Sequence, residues 1–152
     1  MILDSYNTKL FMKGGKMQSI IKSSISVIAT TLIYLLGGWD IALQSLIIVV
    51  ALDYLTGISK SYVSKKLNSN KGLKGIVKKL SMFCIVAVAV IVDRIIGQTG
   101  MIRTLIIYYL VANEGLSIIE NLGEMNIIVP KILKDKLEQV KNNSKVGENN
   151  EH

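Results

Sequence analysis

The sequence predicts an all-α integral membrane protein. It has four transmembrane helices in two hairpins, both termini on the cytoplasmic side, and a short amphipathic helix near the C-terminus. Three observations carry this reading. Half of the chain is hydrophobic (50%), yet its formal charge is +7. The eighteen Lys and Arg fall almost entirely outside the apolar runs, in Lys9 to Lys22, Lys60 to Lys79 and Lys131 to Lys145, which is how a membrane protein distributes charge. A single proline and 6% aromatic residues give little material for a β-rich fold.

Residues 1–19 form a basic N-terminal segment, expected in the cytoplasm. The first apolar run is about 20–38, "IIKSSISVIATTLIYLLGG", near the ~20 residues that cross a bilayer. Ser23, Ser24, Ser26, Thr30 and Thr31 dilute it, so a three-span version, with this segment lying on the membrane surface, is the alternative. "LLGGWD" has no small-residue cleavage pattern of a signal peptide. The second run, about 40–58, follows after only "GGWD". The third, about 78–97, and the fourth, about 102–122, are parted only by "GQTG". Such short connections force helical hairpins.

Between the hairpins, the basic loop 59–79 contains Lys60, Lys65, Lys66, Lys71, Lys74, Lys78 and Lys79 and no acid. Lysine-rich connections stay in the cytoplasm, and the basic N-terminus and the basic tail 123–152 agree with an even number of crossings. After Pro130, Leu133, Leu137 and Val140 share one helical face, with most lysines elsewhere, as in an amphipathic helix on the inner leaflet. From Asn142 onward no apolar face remains, and disorder is expected.

Ionisable groups inside apolar runs need partners, because insertion costs about 2.5–3.5 kcal/mol each near a helix centre. Asp53 ends the run "LIIVVALDYLTGISKSY" about a turn from the cytoplasmic end of its helix, within reach of the Lys60 to Lys66 cluster. Asp93 and Arg94 sit near the outer end of the third helix. On the fourth, Asn113, Ser117, Glu120 and Glu124 fall on one face, with Glu114 and Asn121 one position round. This assembly or lumen face, Asn113, Glu114, Ser117, Glu120 and Asn121, is expected to meet other subunits or water.

One cysteine, Cys84, permits no internal disulfide, and the one histidine, His152, permits no metal cluster. No nucleophile, base and orienting group are arranged for catalysis, and no cofactor is expected. The lysines lack aromatic platforms beyond Tyr62, which argues against nucleic acid. Anionic membrane lipids are the natural partners of the basic segments.

With these residues in view, the chain resembles the toxin-secretion/phage-lysis holin family of clostridia and their phages. The resemblance spans about 50–140 and rests on "DYLTG" (Asp53, Thr56, Gly57), the lysine-rich "NSNKGLKGIVKK", Asp93, "EGLSIIEN" from Glu114 to Asn121, and "VPKILKDKL". It implies a small non-enzymatic protein of the bacterial cytoplasmic membrane that forms homo-oligomers and opens lesions. Through these, a muralytic endolysin or a large toxin without a signal sequence would leave the cell. Lys13-Gly14-Gly15 can be encoded AAAGGAGGN, a ribosome-binding sequence just before Met17, so a second start at Met17 (or Met12) would give a product with fewer N-terminal cations. The competing functional reading is a small proton-coupled multidrug or ion transporter using Glu114. A lipid-binding scaffold is a third.

Overall fold

A computed structural model describes residues 2–65, 68–97 and 99–145, with the side chains of 17–144 other than that of Lys71. It contains five helices: α1 (Ile2–Leu35), α2 (Ile41–Val63), α3 (Ser69–Ile95), α4 (Met101–Glu124) and α5 (Lys131–Lys145). No strand occurs among the described residues. Four helices are long and apolar enough to cross a membrane, through Met17–Leu35, Ile41–Val63, Gly72–Ile95 and Met101–Glu124.

The chain divides into two units, Met1–Leu35 and Leu36–His152. The first unit is α1, which runs unbroken through Gly14 and Gly15. Its hydroxyl-rich stretch is apolar enough overall to span, and two of its hydroxyls turn back onto the helix. Ser26 Oγ donates to Lys22 O at 2.9 Å and Thr31 Oγ1 to Val27 O at 2.8 Å, so neither presents an unpaired donor to lipid. Large apolar side chains such as Ile20, Ile25, Ile28 and Leu32 are exposed on it.

In the second unit α4 is the central helix, packed against α2, α3 and α5. The buried residues explain why. On α2 they are Leu43, Leu46, Val50 and Asp53; on α3 they include the series Met82, Val86, Ala89 and Asp93; on α4 they include the series Arg103, Ile107, Leu110 and Glu114. Each set advances by alternating steps of three and four, the spacing that keeps one seam of a helix facing a neighbour. Leu46, Val50, Met82, Val86, Ile107 and Leu110 form the apolar core. The seams become polar toward both ends of this core.

Four features differ from the sequence reading. The basic stretch 59–79 is mostly helix rather than loop: α2 continues to Val63 and α3 begins at Ser69, since lysine is a good helix former, and the break falls between them, where Lys65 takes a left-handed conformation, φ 52°. Asp53 consequently lies ten residues before the end of α2, about 15 Å along the axis, rather than a turn from it. The third difference is α5, which folds back along α4. Its Leu137 methyls sit where a Cβ added at Gly115 would meet them at 3.0 and 3.1 Å. Helix also covers Asn142 to Lys145, where disorder was expected. Lys66 and residues 146–152 lie outside the described residues, as do the side chains of Lys9, Lys13, Lys16 and Lys71.

Candidate functional site

Two ionic clusters bracket the core. At the lysine-rich end, three helices contribute one charged group each. Lys79, from α3, donates through Nζ to Asp53 Oδ2 of α2 and to Glu114 Oε2 of α4, each at 2.5 Å. All three lie on the packing seams, and the Glu114 side chain is only 4% exposed. Two carboxylates therefore share one ammonium, a formal charge of −1 in a largely dehydrated setting. Charge-assisted hydrogen bonds are the strong kind, and with the polar network around them they compensate the loss of hydration.

The network continues toward the helix ends. Asn121 Nδ2 donates to Asp53 Oδ1 at 3.1 Å and lies 3.3 Å from Thr56 Oγ1. Lys60 Nζ reaches Asn121 Oδ1 at 3.3 Å and Glu124 Oε1 at 2.7 Å. Beside this chain of contacts is a cavity of about 290 Å³, lined among others by Tyr54, Gly57, Ser61, Gly75 and Ser117. Among the described residues, no buried side-chain nitrogen or oxygen lacks a partner.

Of the residues singled out from sequence, Asp53, Thr56, Gly57, Lys60, Lys79, Glu114, Ser117 and Asn121 thus meet at one place. Asn113 is half-buried on α4, and Glu120 is exposed on the flank that faces α5. Lys65, Lys74 and Lys78 are exposed. The cation beside Asp53 is Lys79, from beyond the loop, rather than a member of the Lys60 to Lys66 group. Sequence reasoning placed Lys79 with the loop lysines. The signal that separates it is the seam itself: Lys79, Met82, Val86 and Ala89 advance by three, four and three.

The second cluster is at the other end of the core and is built from turns. Asp93 is buried and caps α4 across the α3–α4 turn, accepting from Ile102 N at 3.1 Å and Arg103 N at 2.9 Å. The cap is needed because Gly100, at the N-cap position with φ 87°, has no side chain to supply one. Arg103, 5% exposed, reaches the segment preceding α2. It donates from Nη1 to Asp40 Oδ2 at 2.6 Å, from Nη2 to Asp40 Oδ1 at 3.1 Å, and from Nε to Leu36 O at 2.6 Å. Asp40 itself caps α2 through Leu43 N at 2.9 Å. The Arg103 hydrogen bond holds the Asp40 carboxyl below its ordinary pKa; partial burial opposes this, and the Leu43 amide assists it.

Gly37 completes the turn in a left-handed conformation, φ 84°, and a Cβ there would come within 2.6 Å of Arg103 Nε. Only glycine satisfies both conditions without rearrangement. The Arg103 guanidinium unites two turns that are 63 residues apart.

No group of three or more His, Cys, Asp or Glu among the described residues could hold a metal ion, and Cys84 is exposed and free. The chemistry of both clusters is ion pairing and helix capping.

No solved structure matches the chain. An uncharacterised 14.9 kDa protein in the nagH 3′ region of Clostridium perfringens is 43% identical over 123 residues, 80% of this chain and 93% of that protein. The uncharacterised protein YqxH of Bacillus subtilis is 34% identical over 118 residues, covering 78% and 84%. A probable holin of Bacillus phage phi105 is 30% identical over 102 residues, covering 67% and 76%. Residues 30–142 match the bacteriophage holin family, a stretch that includes both ionic clusters and three of the four apolar spans. With four membrane-length helices, the chain is a multi-pass bacterial membrane protein, and it belongs to the bacteriophage holin family.

Proposed function

We propose that this protein assembles with copies of itself in the bacterial cytoplasmic membrane. The assembly opens lesions through which a muralytic endolysin, or a large toxin lacking a signal sequence, leaves the cell. Both termini and the lysine-rich connection face the cytoplasm, where the exposed lysines meet anionic lipid. The observation that carries the reading is the Lys79 cluster. It lets a helix with an intramembrane polar face exist as a lone protomer in lipid, because Glu114, Asp53 and Asn121 are satisfied inside the protomer. The same groups are suited to water once neighbouring subunits rearrange.

Expression of the full chain in a bacterium together with a cytoplasmic muralytic enzyme tests this. Abrupt loss of turbidity with release of the enzyme is expected. Substrate flux or drug resistance without lysis would favour the proton-coupled transporter reading through Glu114. The partner is distinguished by the neighbouring gene: a wall hydrolase means lysis, a large toxin means export.

A further inference from the structure

Three helical glycines line the cavity beside the Lys79 cluster, Gly57 from α2 and Gly72 and Gly75 from α3, and close packing explains none of them. A Cβ built on Gly75 would meet nothing within 4 Å, one on Gly72 would find only the Tyr54 hydroxyl at 3.9 Å, and one on Gly57 only Asn121 Nδ2 at 3.8 Å. None of the three has a positive φ. Gly37 and Gly115 differ, since a Cβ there would come within 2.6 and 3.0 Å of a neighbour. Glycine within a helix costs stability relative to alanine. Three that neither turn the chain nor admit a neighbour leave open a space that side chains would have filled.

The space, about 290 Å³, is near the lower edge of pockets that hold small organic ligands, about 300–1,000 Å³, and is far more than a bare ion fills. Asp53, Glu114 and Lys79 give this end of the core a formal charge of −1, and the Lys79 ammonium is already shared between both carboxylates. Among the described residues of the wall, an anion finds no further cation. A cation finds acceptors. Each Asp53 oxygen receives one hydrogen bond, from Asn121 and from Lys79, and a carboxylate has about four acceptor positions. The hydroxyl-bearing Tyr54 and Ser117 border the same space, and Ile58 adds apolar surface. We propose that this cavity binds a primary ammonium group on a short carbon stem, with Asp53 as its counter-charge and the Tyr54 and Ser117 hydroxyls as further acceptors. A phosphatidylethanolamine headgroup and a soluble amine such as ethanolamine both present that chemistry. The ligand's positive charge brings the cluster to neutrality, which a largely dehydrated setting favours. The site belongs to the single protomer and needs no assembly.

The purified full chain in lipid-free maltoside micelles provides the test, read as the thermal unfolding midpoint at fixed ionic strength. Ethanolamine hydrochloride or phosphatidylethanolamine is expected to raise the midpoint saturably, by about 3 °C or more. Sodium chloride at equal ionic strength, and phosphatidylcholine, whose headgroup has no ammonium N–H, are expected not to. The two arms separate the sources. A rise with free ethanolamine assigns a soluble amine, and a rise with phosphatidylethanolamine alone assigns the lipid. Gly75→Leu puts a side chain into the space the ligand needs and is expected to lower the affinity about tenfold or more. Its midpoint without amine is expected to be no lower than that of the wild type, because leucine favours helix over glycine. Should Gly75→Leu not fold, Gly57→Ala and Gly72→Ala, which narrow the cavity from its two sides, are each expected to weaken binding about threefold. No rise with either amine would overturn the proposal. So would an equal rise with sodium chloride or phosphatidylcholine, or wild-type affinity in the glycine variants that fold.

Discussion

The two ionic clusters solve opposite problems with similar residues. At the Arg103 end, one cation gathers turns: its partners are Asp40 and the carbonyls of Leu36 and Gly38, and Asp40 is half exposed. At the Lys79 end, one cation gathers helix interiors: both partners are carboxylates, with side chains 11% and 4% exposed. The first cluster has water at hand for the Asp40 carboxylate, though not for Arg103, whose side chain is 7% exposed. The second does not, so its pairing determines whether three helices can lie together at all. Position, more than residue type, sets what each charge is worth.

The sharpest way to break this comparison is Lys79→Met. It strands two buried carboxylates and should destabilise the protein by about 3–5 kcal/mol, read as a large fall in unfolding midpoint in detergent micelles. Arg103→Leu should cost less, about 2 kcal/mol, because Asp40 and the freed turn carbonyls can hydrate. Equal losses for the two variants would remove the distinction drawn above.

Acid gives a finer test of the Arg103 end. Asp40 titrates below its reference value of 3.8 in the folded chain. Its contribution is therefore present above about pH 4 and is lost as pH falls through the folded pKa. The stability difference between wild type and Asp40→Asn should shrink toward zero between pH 5 and pH 2, by below about 1 kcal/mol given the half exposure of the carboxyl. A difference that grows on acidification would contradict the sign. Smallest of all is Lys60→Ala. Its ion pair with Glu124 is solvent-accessible, with side chains 30% and 59% exposed, and the unfolding midpoint should change by no more than about 0.5 kcal/mol. A larger loss would mean that Lys60 also secures Asn121 and with it the buried cluster.

Much of the fold was legible because membrane helices announce themselves by length and apolarity. The four spans, the hairpin at "GQTG" and the helix after Pro130 needed only local reading. The polar face of α4 was visible too, since Glu114, Ser117 and Asn121 repeat at helical spacing. What local reading did not supply was pairing. Asp53 and Lys79 are 26 residues apart, Glu114 is 35 beyond Lys79, and Arg103 is 63 from Asp40. Nearness along the chain therefore drew Asp53 to Lys60 and left Glu114 without a cation. The fold-back of α5 was missed for a related reason. A glycine inside a transmembrane helix reads as a weak spot, and its use as a seat for Leu137 appears only when the second helix is in place.

One consequence follows from having charged groups at both ends of each seam. On α3, Lys79 and Asp93 are fourteen residues apart, and on α4, Arg103 and Glu114 are eleven apart, about 21 and 16 Å along their axes. Apolar side chains alone permit neighbouring helices to slip past one another by a turn and still bury comparable area. Here a one-turn slip of α3 would pull Lys79 from Glu114 and Asp93 from the first amides of α4 together. The clusters thus act as end stops, setting the vertical alignment of the helices to within a fraction of a turn. Any rearrangement that keeps both intact is restricted to rotation or to separation of whole protomers.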